Sequence, residues 1–467
     1  MDPVKDVLGL TADYAAQFLG SLDERTVGPK ASVDELRAGL GGPLPVQGTG
    51  DVQVIAELIA AAEPGVTAIP GGRYFGFVIG GALPAALAAD WLTSTWDQNA
   101  GLYVIGPSAA VVEEVALEWL RELLGLPDGV SAAFVTGCQM AHVTALAAAR
   151  HHVLECAGWD LQGDGLQGAP RIRVLVGEQR HVTIDRALRY LGIGARQIEP
   201  LAADGQGRMR PEALRQALHA GSGPTIVCAQ AGDVNSGCFD PLVEIADAVE
   251  GTDAWLHVDG AFGLWASASP RLRHLTAGAE RADSWATDGH KWLNVPYDSG
   301  IAFCAHPSSH RAAMSVSASY LEQTDPDAAR DQLDWTPEFS RRARGFPIYA
   351  AIRALGSDGV ADMVERCCDH AARFAELLGA EPGVEILNDV VLNQVLVRFG
   401  DDDALTQATV NGVQEDGTCW LSGTVWQGKA AMRISVSNWR TSDDDVERSA
   451  AAILEAAAAV AGPLRAS

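Results

Sequence analysis

Lysine is nearly absent from this chain. Among 467 residues it occurs only at Lys5, Lys30, Lys291 and Lys429, and arginine supplies the rest of the 34 basic side chains. Set against 60 Asp and Glu, this leaves a formal net charge of -26. So acidic a surface repels phosphate backbones and anionic lipid headgroups, which excludes nucleic acid and membrane surfaces as expected partners. Long apolar runs are missing as well. The longest, AAAILEAAAAVAG, is interrupted by Glu455 and is shorter than the ~20 residues that a spanning helix needs. The opening MDPVKDVLGL has no basic stretch followed by an apolar one, so a secretory leader is not expected and a cytoplasmic protein is. The eight cysteines are scattered, and only Cys367 and Cys368 adjoin; His370 near them has no second Cys/His pair at ligand spacing. Neither a disulfide frame nor a metal site is therefore expected.

What is present is an enzyme-sized globule, longer than one hydrophobic core usually organises. Residues 1–70 carry two helical patterns, in PVKDVLGLTADYAAQFLGSL and DVQVIAELIAAAE, and are expected to form an arm rather than an independent domain. From about residue 110 strand and helix patterns alternate through AAFVT, RIRVLVG, TIVCAQA and AWLHVDG. Such alternation predicts an α/β fold with a mostly parallel central sheet covered on both faces. After Pro347 two long helical patterns lead to short strands at VEILN, QVLVRFG and AAMRISVS, and a closing helix runs from Asp443 to Ala461. The expected division is an arm over 1–70, a large domain over 71–345 and a small C-terminal α/β domain over 346–467.

Four segments carry chemistry, each at the carboxyl end of a strand pattern, where open α/β sheets bind ligands. In DSWATDGHKWLNVPYDSG, Lys291 follows His290 between a strand and an irregular loop. Burial there is expected to lower the amine's pKa and make it nucleophilic toward an aldehyde. In AWLHVDGAFGLWA, an apolar strand ends on Asp259. A buried carboxylate demands a partner, either a structural cation or helix N-terminus or the pyridinium nitrogen of a cofactor. The turn VTGCQMAHVTALAAAR passes through Gly137 into a helix whose first N–H groups, at Cys138 and Gln139, suit a phosphate. In GEQRHVTIDRALRYLG, His181 can cap a helix or stack on a planar ring.

In this order and spacing, and with QAGDVNSGCFDP and HVDGAFG, the four segments resemble the group II pyridoxal-phosphate decarboxylases, the family of aromatic-amino-acid and glutamate decarboxylases. The resemblance runs from about Gly71 to the C-terminus. It implies the aminotransferase-like fold type I of pyridoxal-phosphate-dependent transferases, a homodimer with a shared active site, and an amino-acid substrate decarboxylated to an amine. It implies that Lys291 forms the internal aldimine, that Asp259 pairs with the pyridine nitrogen and that His181 stacks on the ring. Ala261 would pack on the opposite face, Asp233 would lie beside the cofactor, and His290 would stand next to the phosphate. Tyr74, Phe75, Asn99 and Tyr103 would line an aromatic or medium-polar substrate pocket, with Arg433 receiving the substrate carboxylate.

Departures from the family pattern are visible too. Cys138 and Gln139 replace a small or hydroxyl pair, His142 replaces a common asparagine or threonine, and Gly71-Gly72 stand where His-Pro is frequent. The segment from Tyr320 to Trp335, where the family has its gating loop, is about two residues shorter than in the animal aromatic decarboxylases and has no tyrosine at the proton-donor position. An aldehyde synthase, an aldolase or aminotransferase on the same fold, and a non-catalytic scaffold are the alternative readings.

Overall fold

The computed structural model describes residues 3–316 and 330–465. Most of the segment read as a gating loop therefore lies outside the described residues. Helices α1 (Pro3–Gly20), α2 (Val33–Leu40) and α3 (Asp51–Ala62) come first, followed by α4 (Pro84–Trp96) and α5 (Pro107–Leu123). The alternating region then reads β1 (Ser131–Val135), α6 (Cys138–Cys156), α7 (Leu161–Asp164), β2 (Arg173–Gly177), α8 (Val182–Tyr190) and β3 (Ile198–Leu201). It continues with α9 (Pro211–Ala220), β4 (Thr225–Gln230), α10 (Leu242–Val249), β5 (Trp255–Asp259), β6 (Ser284–Asp288), β7 (Gly300–Cys304) and α11 (Pro307–Met314).

These seven strands form one sheet in the order β1-β7-β6-β5-β4-β2-β3. The run from β3 through β6 is parallel, and β7 lies antiparallel to both β6 and β1. The mostly parallel sheet expected from the alternation is thus present. The sequence pattern passed over β3, whose IEPL carries a proline and a glutamate; an edge strand tolerates both, because one side of its ladder is unpaired.

The last part holds α12 (Gly345–Gly379), β8 (Val384–Ile386), β9 (Gln394–Phe399), α13 (Asp403–Asp416), β10 (Ser422–Trp426), β11 (Lys429–Ser435) and α14 (Asp443–Arg465). Helix α12 is broken at Gly356, whose φ of 64° is open to glycine at little cost, so two helical patterns occupy one element. The second sheet, β10-β11-β9-β8, is antiparallel throughout. Strand β10 escaped the sequence pattern because SGTVW buries only its ends.

Both faces of the large sheet are covered, as strands of unbroken burial require. On one face Val227, Val258, Trp285 and Phe303 join a core shared with α5, α10 and α12. On the other, Val174, Ile226 and Trp255 pack against Leu146, Ala147 and Leu154 of α6. Because side chains alternate along a strand, His257 and Asp259 share the α6 face with Trp255 while Leu256 and Val258 face away.

Candidate active site

The carboxyl ends of β1, β2, β4, β5 and β6 open on one cavity of about 220 Å³. The turn after β1 contributes Gly137, Cys138 and Gln139; the start of α8 contributes His181 and Thr183; the loop after β5 contributes Ala261; and β6 leads to His290 and Lys291. Asp259 closes the cavity from β5. Eight of the residues singled out in the sequence are thus brought together although they span more than 150 positions.

Asp259 is buried, and burial alone would push its carboxyl up. His142, His181 and Lys291 more than offset this and hold it well below the usual carboxylate range. Its Oδ1 accepts from Ala261 N–H at 3.1 Å, and its Oδ2 lies 3.5 Å from His142 Nε2. His181 does two things at once. It is the N-cap of α8, its Nδ1 accepting from Thr183 N–H at 3.4 Å and lying 2.8 Å from Thr183 Oγ1, and its ring still lines the cavity. Burial lowers its pKa and so favours the uncharged ring.

At the other end Asp288 organises the site. Its Oδ1 accepts Cys138 N–H at 2.6 Å, and its Oδ2 stands 3.1 Å from Lys291 Nζ. The amine consequently departs from the sequence expectation. Burial pulls its pKa down, but the charges of Asp288, Cys138 and Asp259 outweigh that, and the net shift is upward. A distance decides the sign here, and residue spacing could not provide it. His290 Nδ1 accepts Ser299 N–H at 3.1 Å, which leaves the proton of the neutral ring on Nε2, 3.5 Å from Asp288 Oδ1. Burial lowers the pKa of this imidazole too.

Other sequence candidates lie elsewhere within the chain. Phe75 is fully buried and meets Phe374 edge-on, its backbone bonded to Trp420 and Ser435; it is a core residue, not a cavity wall. Tyr74 stacks on Trp420 with ring centroids 5.1 Å apart. Asn99 accepts from Gly101 and Arg341 N–H groups, and Tyr103 sits in an exposed turn; neither lines the cavity of its own chain. Asp233 is buried behind the cavity, where its carboxylate accepts from Asn235 N–H, Ser236 N–H and the Gln230 amide, and so shapes the loop after β4. Arg433, on β11, donates to Asn235 Oδ1 at 3.3 Å, and its Nε has no partner among the described residues.

Sequence reading missed Asp288, His257 and Thr183. The position of Asp288, three residues before Lys291, was the available signal, as was the period-2 placement of His257 before Asp259. Cys138, His142 and Asp259 also present a sulfur, a ring nitrogen and a carboxylate oxygen within 4.8 Å of one another. No motif announces this cluster, since its members come from a helix and a strand over 100 residues apart.

The residues fit pyridoxal phosphate. An anionic carboxylate, a flat neutral imidazole, an amine and a helix N-terminus beside a ring N–H donor match its pyridinium, ring face, aldehyde and phosphate. Gly137 keeps the phosphate end open: a Cβ there would meet His290 Cε1 at 3.3 Å and Asp288 Oδ1 at 3.6 Å.

Comparison with known proteins agrees. A family model described as the pyridoxal-dependent decarboxylase conserved domain matches residues 45–399. The chain is 26% identical over 448 residues to the aromatic-L-amino-acid decarboxylase of Bacillus atrophaeus, covering 93% of this chain and 91% of that protein. It is 26% identical over 440 residues to the 4-hydroxyphenylacetaldehyde synthase of Rhodiola rosea, covering 89% and 86%. The solved structure of Oryza sativa TDC with PLP and tryptamine matches with a TM-score of 0.92 at 23% identity over 98% of both chains. The aminotransferase-like fold type I expected from the sequence is the fold of this chain.

Proposed function

The chain belongs to the pyridoxal-dependent decarboxylases, enzymes that use pyridoxal 5'-phosphate, and from that premise we propose that it decarboxylates an aromatic or medium-sized polar L-amino acid to the amine, with Lys291 carrying the cofactor. The observation that carries this reading is the convergence of Lys291, His181 and an ionised Asp259 on one cavity. Bound there, the cofactor supplies an aldehyde for the amine and a protonated ring that draws electrons from the substrate Cα.

The residues of the chain do the rest. Asp259, kept anionic by its neighbours, holds a proton on the ring nitrogen. His181 and Ala261, which both line the cavity, would hold the ring. His290 Nε2–H and the first turn of α6 receive the phosphate, where Cys138 N–H is already shared with Asp288. Lys291, whose Nζ stands 3.1 Å from the Asp288 carboxylate, would be the amine that holds the cofactor's aldehyde. Positioning then selects which bond to Cα is broken.

The substrate side of this reading calls for a homodimer. Helices α1 and α3 bury no residue within the chain, and Trp96, Tyr103, Val104 and Ile105 are exposed. A second copy would cover these apolar surfaces. We assign Asn99 and Tyr103 to the cavity of the partner copy. Light scattering and mixed-variant complementation test this: a Lys291→Ala copy paired with a Tyr103→Ala copy regains activity only if the site is shared.

A second reading, oxidative release of an aldehyde, draws on the likeness to the Rhodiola rosea synthase and on the absence of tyrosine between residues 321 and 335. The test is a screen of L-amino acids for carbon dioxide release, with amine, aldehyde and hydrogen peroxide assayed together. Amine equal to carbon dioxide supports decarboxylation alone, aldehyde with peroxide favours the second reading, and no carbon dioxide from any amino acid overturns both.

A further inference from the structure

Behind the cavity wall lies a line of buried polar groups. Trp255 Nε1 is 2.8 Å from Ser284 Oγ, Ser284 Oγ is 2.9 Å from His257 Nδ1, and His257 Nε2 is 3.0 Å from His142 Nδ1. His142 Nε2 then stands 3.5 Å from Asp259 Oδ2 and 3.4 Å from Cys138 Sγ. Trp255, Ser284, His257 and His142 are all at most 1% exposed, and none lines the cavity. The arrangement follows from two periods. Trp255, His257 and Asp259 alternate onto one face of β5, where His257 sits opposite Ser284 of β6. Cys138 and His142 lie one turn apart on α6, which crosses that face.

The line has a direction. An indole N–H only donates, so Ser284 Oγ accepts from Trp255 and keeps its own proton for His257 Nδ1. A neutral His257 accepting at Nδ1 carries its proton on Nε2 and donates it to His142 Nδ1. His142 in turn carries its proton on Nε2, toward Asp259. The reverse polarity would begin at the Cys138 thiol and would aim a lone pair of His142 at an ionised carboxylate, which Coulomb repulsion disfavours in a dry interior. Burial drives the pKa of His257 down to about 3, so this ring stays neutral in the chain. The titratable groups facing His142 are Cys138 on its own helix, Asp259 and His257 on β5, and His181 at the start of α8.

We propose that Trp255, Ser284, His257 and His142 form a polarised hydrogen-bond relay ending as a donor on Asp259 Oδ2, with His142 the positioning residue that keeps Asp259 anionic and aimed at the cofactor's ring nitrogen. This rests on the reading of Asp259 as the ring-nitrogen partner. Asp259 is then fixed at both oxygens, by Ala261 N–H on one and His142 on the other, and a desolvated carboxylate so held does not recapture the ring proton.

Two measurements test it. In the cofactor-free protein, nitrogen NMR of labelled histidine, assigned with His142→Asn and His257→Asn, should find both rings protonated on Nε2. A His142 ring protonated on Nδ1 alone overturns the relay. In the loaded protein the pH titration of the Lys291-linked absorbance is followed with kcat and KM. Losing a hydrogen bond to a charged group moves such an equilibrium by about one pH unit. His142→Leu should therefore shift the midpoint upward by about that much and lower kcat by about tenfold at nearly constant KM. His142→Asn, which keeps an N–H donor, should shift it less, and Ser284→Ala, remote from the cavity, should shift it in the same direction. Unmoved midpoints in all three, with only the melting temperature lowered, overturn the proposal and leave a structural role. Should His142→Leu fail to fold, Ser284→Ala and the spectrum of the unaltered protein still decide. A protein that never acquires a borohydride-sensitive band refutes the cofactor reading instead, while the histidine spectrum continues to judge the relay.

Discussion

Replacing Asp288 by asparagine removes one charge and changes little else. The amide oxygen can still accept Cys138 N–H, so the turn into α6 keeps its hydrogen bond. Lys291 loses its nearest anion, which stands 3.1 Å from Nζ. At that separation the direct attraction is about 5 kcal/mol with an effective dielectric of roughly 20. Desolvation of both charges offsets much of it, and an opposite charge this close typically moves a pKa by about one to three pH units. With Asp288 gone, the balance tilts toward burial and the amine's pKa falls. The fraction of neutral amine near pH 8 then rises by about tenfold or more. The assay is the rate at which cofactor-free protein captures pyridoxal phosphate, followed as growth of the borohydride-sensitive band across pH. The rate profile of Asp288→Asn should shift toward lower pH. There is a matching stability signature. A lysine raised in the folded state contributes stability that is complete below its unfolded pKa and is lost as pH rises through the folded one. The variant should lack that loss on the alkaline side. A capture profile that coincides with the parent's, or moves to higher pH, refutes the claim that Asp288 sets the state of Lys291.

Lys291→Ala should abolish both turnover and borohydride-trapped cofactor, because Lys5, Lys30 and Lys429 do not line the cavity; label found on any of those three by peptide mapping would refute this. Asp259→Asn should leave the fold intact by circular dichroism while lowering kcat by roughly a hundredfold or more, since an uncharged partner cannot hold the ring proton. Because the folded carboxyl lies below its unfolded value, its contribution to stability is present above the unfolded pKa and lost only in acid, and the variant should lose that acid-side dependence. Glu113 and Arg341 form a fully buried pair at 2.8 Å. Glu113→Ala would strand the guanidinium and should cost about 3–5 kcal/mol in denaturant unfolding, whereas a loss under ~1 kcal/mol would mean that the cation finds other partners.

The local code of this chain is short-ranged, and what it determined is what short range can carry. Strand and helix periods announced the alternating sheet, and the turns at their carboxyl ends marked Gly137, His181, Asp259 and Lys291 as residues that one sheet edge would gather. Edge strand β3 and strand β10 escaped because their burial is too partial to leave a period. Convergence belonged to the tertiary structure. Cys138 and Asp288 are 150 positions apart, and only the fold sets a carboxylate against the first N–H of α6 and 3.1 Å from the lysine. That distance reversed the expected direction of the Lys291 shift, because desolvation and charge act in opposite senses and spacing in sequence weighs neither. Phe75 went to the core for a related reason: an aromatic side chain in a motif is equally suited to a pocket wall or to burial, and its neighbours Phe374, Trp420 and Ser435 decide which. The line from Trp255 to Asp259 was half legible, as the period-2 pair His257 and Asp259. Its other half required α6 to lie across β5, since a hydrogen bond is made by atoms within about 3 Å and the sequence orders residues without placing their atoms.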